Sequence, residues 1–593
     1  MSDFIYSSTS KPQGELIRHI HSIYHSNAPE VTEFHGEWGS LAVSRNLYNG
    51  FQPLETQLHV FVLIGGPVLC FKDNLFLINS NSTAGTRAIY ERYIAGLMQW
   101  DEDLSGPFLV LMIDKSNGQV TIVTDLMMFI PAYHYAQGGA VMLGTHMDAM
   151  AKAAYQTCYI DQVSLADFIL NNVVTYPYTV YKNLRQLHPA AVQSFEPLND
   201  GLRAEPPTVY WSPEEMNPYV NIDQAAVALR EGLRDYVTRI TQGMNKVAQF
   251  ISAGEDSRAI AGLLPRRLKR DGVTFLDSMN REGRIARRAA KAYKETFQAG
   301  FLGKTYYLDI LPEASDLIGS GHQYVHAHSL GLYKSFDLDR YSAVFGGFLS
   351  DTLLKGHDVQ KIKGYKGFPV PQVENKKWSP IYSKINSAHN CLINSIYEKL
   401  KKRRMEHFQS IQNIRFSSYK EWFTIWPITM HSTISNLICN RRLFRSYEPF
   451  MSKQAVKIGA AVPTSWKLNR RLFHHMAKPL FKPAKYLTHT QGWMPYYPWY
   501  ANFFIHGAVF TYRNLIAKMG LVKGYQGSFG DRQSFVSSDA WAVLVDKYTC
   551  GEENIDAIFT KSAHQLLKGS YLTLMQKGNL LQTLYLLQKM KIE

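Results

Sequence analysis

The hydrophobic pattern changes character twice along the 593 residues. Up to about residue 200, apolar residues come in short unbroken runs: HVFVLI, PFLVLMID, QVTIVTD and AVMLGT. These runs are β-branched and aromatic, are bounded by Gly, Asn and Asp, and read as strands. Helical spacing intervenes at Ala88–Trp100 and Met147–Tyr155, which together predict an α+β sandwich-like domain. A stretch around residues 195–215, rich in Pro, Gly and charge, reads as a linker. Ile222–Ile240 carries apolar residues at helical spacing. From Lys246, strand and helix patterns alternate: VAQFIS, a helix, GVTFLD, a helix over Arg284–Thr296, KTYYLDI, a helix, then SAVFGG. Alternation of this kind predicts a parallel sheet covered by helices, with ligands beyond the carboxyl ends of its strands. Ser252–Ser257, Asp277, Ser278 and Gly346–Asp351 fall there. Beyond about residue 355 the chain turns helical and basic, closing on an amphipathic helix near Gly569–Met590.

The chemistry concentrates in KVAQFISAGEDSRAIAGLL, Lys246 to Leu264. An apolar strand runs through the small-residue turn Ser252-Ala253-Gly254 into a helix that Pro265 stops. Backbone N–H groups at a helix start favour an anion, and small residues let phosphate approach closely. Ser252 and Ser257 add hydroxyl donors. Asp256 would repel a bare phosphate but suits a bridging Mg²⁺. The other reading is an ordinary strand-to-helix turn capped by Asp256 or Ser257.

Composition narrows the choice only modestly. The net charge of +15 and pI near 9.3 would suit nucleic acid, an anionic membrane or a phosphorylated ligand, or simply a scattered solvated surface. Only KKRR (Lys401–Arg404) and PRRLKR (Pro265–Arg270) are dense clusters. Five well-separated cysteines, with no CxxC, suggest reduced thiols of a cytoplasmic protein. The longest apolar run, Leu58–Phe71, is too short to span a bilayer and is broken by Gly65-Gly66-Pro67. No membrane association or targeting peptide is expected.

Taken in order, these segments resemble the asparagine synthetase family across most of residues 1–500. SAGEDS is similar to its pyrophosphate loop SGGxDS, with Ala253 replacing a glycine. GVTFLD is similar to its second strand, whose end contacts the adenine nucleotide, and Glu282 and Ala286 match the acidic start of the next helix. GGFLSD (Gly346–Asp351) resembles the SGEGSDE stretch; Asp351 matches its aspartate, Phe348 stands where a glutamate is expected, and Thr352 replaces the last acid. Tyr447–Leu468 resembles RxPFLD…LP…K, including Pro449, Phe450 and Pro463, and Arg470 falls where a catalytic lysine is expected. In the first domain, DLSGPFLVLMID, VTDLMMFIPAYHY and YTVYKNLRQLHPAA are similar to the family's amidotransferase stretches LxGxFA, RDRxGxxPLYY and TxxxxIxxLxPG.

The resemblance implies an Ntn-hydrolase-like glutamine amidotransferase domain over 1–200. It further implies an α/β ATP pyrophosphatase domain over 215–500 and a helical extension over 501–593. ATP would be held by Ser252, Gly254, Asp256, Ser257, Asp277, Ser278, Gly346 and Gly347, and Mg²⁺ by Asp256 and Asp351. Arg470 and Asp351 would be catalytic. The expected reaction adenylates a small-molecule carboxylate, which ammonia or another amine then attacks, with release of AMP and pyrophosphate. Ser2 stands where the glutaminase requires cysteine, and the amide-binding NGE stretch is replaced near Gly65-Gly66-Pro67, so loss of glutamine hydrolysis is expected. A homodimer is compatible with the resemblance. Two rival readings are a related enzyme adenylating transfer RNA and a non-catalytic relative serving as a partner protein. The lack of a recognisable RNA-binding module argues against the first.

Overall fold

The computed structural model describes residues 3–198, 201–364, 367–377, 389–520, 526–527, 533–549 and 553–592. Ser2, on which the glutaminase expectation turns, lies outside them. The first third of the chain builds two antiparallel sheets. One runs Leu184–Gln186, Tyr133–Gln137, Ala140–Gly144, Phe4–Ser7, Gly39–Ser44, Val31–Gly36. The other runs Gly201–Ala204, Ala191–Leu198, Val120–Thr124, Phe108–Asp114, His59–Gly65, Leu54–Glu55. Helices Glu15–His21 and Met147–Ala153 pack on the first sheet, and helix Ala84–Ile94 on the second. Phe4–Ser7 and Gly39–Ser44 are buried at every position. A strand covered on both faces has no reason to alternate, which explains the unbroken apolar runs.

Two boundaries differ from the sequence pattern. The helix expected over Ala88–Trp100 spans Ala84–Ile94, because Gly96 takes φ 70° and a separate turn begins at Trp100. The stretch read as a linker from residue 195 contains instead the hairpin Ala191–Leu198 with Gly201–Ala204, which extends the second sheet.

Helix Ile222–Ile240 follows, capped by the Asn221 side chain on the Gln224 N–H. It buries Ile222, Ala226, Leu229, Leu233, Tyr236 and Ile240 at three- and four-residue spacing. The next sheet is fully parallel, in the order Thr296–Phe301, Lys269–Leu276, Lys246–Phe250, Val344–Phe345, Ser446–Tyr447. The chain starts in the middle, adds two strands to one side and then two to the other. The switch point lies between Lys246–Phe250 and Val344–Phe345, where such sheets open a crevice. KTYYLDI, expected as a strand, is helical at Tyr306–Asp309 and buries Tyr306, Tyr307 and Leu308. The strand is the less patterned TFQAGF just before it.

The two halves are joined by buried polar contacts. Arg442 donates to both carboxylate oxygens of Asp3, at 2.8 and 2.6 Å, and Tyr48 donates to the Ser446 carbonyl at 2.5 Å. The C-terminal helix Leu574–Ile592 is more than an appendage. Asn579 donates to the Phe168 carbonyl, Gln576 to that of Leu170, and Gln582 to that of His322. No helix among the described residues is long and apolar enough to cross a membrane.

Burial opposes the charged form of Asp3, but Arg442 and Arg441 overcome it and hold the carboxyl well below its usual range. A depressed folded pKa contributes stability above the unfolded value and loses it as pH falls through the folded one. Asp3→Ala would leave buried guanidinium charge uncompensated, so a loss of roughly 3–5 kcal/mol in urea unfolding is expected at pH 7.

Candidate active site

The central strand Lys246–Phe250 delivers the chain to the switch point, and helix Glu255–Leu263 leaves it. Between them the loop is held from within. Ser252 N–H donates to Ser257 Oγ (3.1 Å), Gly254 N–H to Ser252 Oγ (3.0 Å), and Ala253 N–H to Glu282 Oε1 (2.7 Å). These three amides, expected to face a ligand, instead fix the loop's shape. The donors suited to an anion are those of the first helical turn, whose N-cap Gly254 offers no side chain to bond them. Asp256 and Ser257 lie within that helix and are not caps.

A cavity of about 540 Å³ opens beside this loop. Ser252, Gly254, Asp256 and Ser257 form one side, and Gly346, Gly347 and Phe348 from the neighbouring strand's end another. Phe250, Val273 and Phe275 supply an apolar wall, with the two phenyl rings 5.7 Å apart. The approach is close enough to require both glycines. A Cβ at Gly347 would sit 2.9 Å from Asp256 Cβ, and one at Gly346 would sit 2.3 Å from a Glu448 carboxylate oxygen. Of the expected ATP-binding residues, six converge here. Asp277 and Ser278 stand apart, with Asp277 accepting from Asn280 Nδ2 at 3.1 Å, and the cavity takes Val273–Phe275 from their strand instead.

Below the loop lies a charge cluster that the sequence did not announce. Lys355, buried, places its ammonium 2.5 Å from Asp256, 2.7 Å from Asp351 and 3.1 Å from Glu255. Burial disfavours that ammonium, yet the three carboxylates more than compensate and raise its pKa. Burial raises Asp256 to about 6 against the pull of Lys355. Asp351, its side chain 54% exposed, moves the other way: Lys355 and Arg470 outweigh what desolvation it suffers and hold its carboxyl down.

Arg470 pairs with Glu255, and its guanidinium lies 4.6 Å from the ring centres of both Phe368 and Trp493. It does not sit on a helical face. Asn469 and Arg470 both adopt positive φ, 55° and 57°, and turn the chain before helix Arg471–Ala477. Left-handed backbone at two non-glycine residues is costly. The contacts it secures are those of Arg470 and a reciprocal pair in which Gln372 N–H donates to Asn469 Oδ1 (2.7 Å) and Asn469 N–H to Gln372 Oε1 (2.8 Å). His489, stacked on Trp493 at 4.1 Å, lines the cavity and is pushed by burial down to about 3, so it is neutral at pH 7.

Glu448 was missed entirely. It follows the last strand, Ser446–Tyr447, lines the cavity, and accepts from the Phe348 N–H at 2.9 Å and the Ser446 hydroxyl at 3.2 Å. Burial raises its carboxyl to about 7, against those two donors. The available signal was an acid at the carboxyl end of a strand, directly before Pro449.

Four arginines of the basic clusters serve the fold, while Arg266, Lys269 and Lys402 are exposed. Arg403 and Arg404 pair with Asp161 and Asp167, while Arg267 and Arg270 donate to backbone carbonyls.

Residues 41–211 match the glutamine amidotransferase domain family. The chain is 23% identical over 195 residues to "Asparagine synthetase [glutamine-hydrolyzing] 3" of Bacillus subtilis (strain 168), covering 32% of this chain and 30% of that protein. Among solved structures, "Structure of the allosteric regulatory enzyme of purine biosynthesis" matches with 10% identity and TM-score 0.23, covering 51% of this chain and 80% of that one. B. subtilis glutamine phosphoribosylpyrophosphate amidotransferase, complexed with ADP and GMP, matches with 9% identity and TM-score 0.22, covering 52% and 67%. The chain is thus similar to an asparagine synthetase over 32% of its length and matches a glutamine amidotransferase domain at residues 41–211.

Arg470→Ala is expected to cost about 2 kcal/mol in urea unfolding, since buried Glu255 loses a charged donor. Arg471, exposed one residue on, should change stability by less than about 0.5 kcal/mol as alanine.

Proposed function

We propose that the protein is an ATP-dependent amide-forming ligase whose nucleotide occupies the cavity at the switch point. One observation carries this reading. The Ser252–Ser257 loop and the Gly346–Phe348 turn meet at the carboxyl ends of the two strands flanking that switch point, over a cleft with an apolar wall. The helix start at Glu255 would receive the phosphates, and Phe250, Val273 and Phe275 the base. Arg470 is a positioning residue: through Glu255 it fixes the first turn of that helix, rather than reaching the α-phosphate itself.

In the reaction so assigned, a carboxylate oxygen of the substrate attacks the α-phosphorus and pyrophosphate leaves. The amine then attacks the acyl carbon, the bond from that carbon to the AMP oxygen breaks, and the surplus proton needs an acceptor. Phe348 cannot take it. Glu448, hydrogen-bonded to the Phe348 amide and exposed to the same cavity, can. Its carboxylate form exists above pH about 7, so the amine step should quicken as pH rises through that value. Asp256 and Asp351, expected to hold Mg²⁺, do not fit that ion as they stand. The Lys355 ammonium already bridges them, at 2.5 and 2.7 Å, where Mg²⁺ requires oxygens at about 2.0–2.1 Å around itself. No step is assigned to a metal held by the protein.

Isotope exchange between pyrophosphate and ATP, run over candidate carboxylic acids including aspartate, tests the first step. Silence with every acid, together with no measurable ATP binding, would overturn the reading. Glu448→Gln should leave that exchange near normal and slow amide formation by about 100-fold or more, erasing the pH dependence near 7.

We also infer that glutamine hydrolysis is lost and that ammonia or another amine is used directly, since a serine hydroxyl is far harder to ionise than a thiol. Glutamate release from glutamine, abolished by Ser2→Ala, would show the opposite.

A further inference from the structure

We infer that Lys355 is a built-in counter-ion that takes the place of a protein-held divalent cation between Asp256 and Asp351. The inference rests on the proposed nucleotide site only for what the cluster serves, not for the charge arrangement itself. Asp256 belongs to the helix that leaves the central strand, Asp351 to the short helix Ser350–Leu354 that leaves the neighbouring one. The crevice therefore brings together two carboxylates from opposite sides, the geometry in which a divalent ion would bridge the strands. An ammonium stands there instead. Lys355 reaches it from four residues beyond Asp351, at the C-cap of the same helix. Its side chain is 3% exposed, and it also touches Glu255 and lies 4.5 Å from the Phe473 ring. Its stem is packed, its head has three carboxylate acceptors, and an ammonium has three protons to give. The head group is saturated by the very oxygens a metal would need.

The arrangement differs from a metal site in what it can offer a ligand. A divalent ion has open coordination positions to share with phosphate oxygens, whereas a saturated ammonium has none. A divalent ion in the working site would therefore have to come with the nucleotide's own phosphates, and of the two aspartates only Asp256 lines the cavity.

Titration of the nucleotide-free full chain with Mn²⁺, followed by the paramagnetic resonance of the free ion, tests this without reference to activity. The wild type is expected to show no saturable site at millimolar Mn²⁺. Lys355→Gln should gain one site per chain, at least about tenfold tighter than any wild-type binding, and Asp351→Asn added to it should remove that site. A single wild-type Mn²⁺ site that Asp351→Asn abolishes would overturn the inference, whether or not the Lys355 variant folds. A folded Lys355→Gln protein that still binds no Mn²⁺ would overturn it as well. Because no nucleotide is present, either failure is separate from a failure of ATP to bind.

Discussion

Charge balance at the start of helix Glu255–Leu263 is the constraint on which the site depends. Glu255 is almost fully buried, and Asp256 and Asp351 converge beside it. Against these three carboxylates stand two cations, Lys355 and Arg470. Glu255 and Lys355 are the buried members, and charge left uncompensated on either would be costly. Much of the surrounding structure follows from supplying those cations. The helix after Gly347 must bring Lys355 inward, and the chain at Asn469 and Arg470 accepts left-handed backbone to turn a guanidinium between Phe368 and Trp493. The strain and the packing belong to one electrostatic requirement.

A second dependence links the halves of the molecule. Helix Ile434–Leu443 places Asn436 and Asn440 on the cavity, while Arg442, near its end, grips Asp3. The beginning of the chain is thereby tied to the wall of the proposed nucleotide site through one rigid element. Displacing Asp3 would therefore be felt at the cavity wall as well as in the first sheet.

Local patterns were legible wherever local physics decided the outcome. Ile222–Ile240 could be read to the residue, because its apolar spacing, its Asn221 cap and its burial agree. The strand, small turn and helix at 246–263 were equally plain. The third strand of the parallel sheet was not. TFQAGF carries a glycine and a glutamine, whereas KTYYLDI has the better strand composition yet folds as a helical turn burying two tyrosines. There tertiary packing overrode propensity. Lys355 was invisible for a different reason. Four residues from Asp351, it resembles an ordinary surface helix pair. Its other two partners lie about a hundred residues away and meet it only through the order of the strands.

The same logic explains how residues far apart in sequence come to share one wall of the cavity. Phe348 follows the fourth strand in chain order, Val344–Phe345, and Glu448 follows the fifth, Ser446–Tyr447, yet the Phe348 N–H donates to the Glu448 carboxylate. Seen along the chain they are unrelated residues a hundred positions apart. Seen from the cavity, they set an aromatic ring and a carboxyl side by side. Gly346 makes the arrangement possible, since any side chain there would collide with the Glu448 carboxylate. Phe348 in turn adds apolar surface where a charged side chain would have demanded a partner. A ligand entering the cleft from that side meets a ring to pack against and, beside it, a single carboxyl whose charge burial opposes.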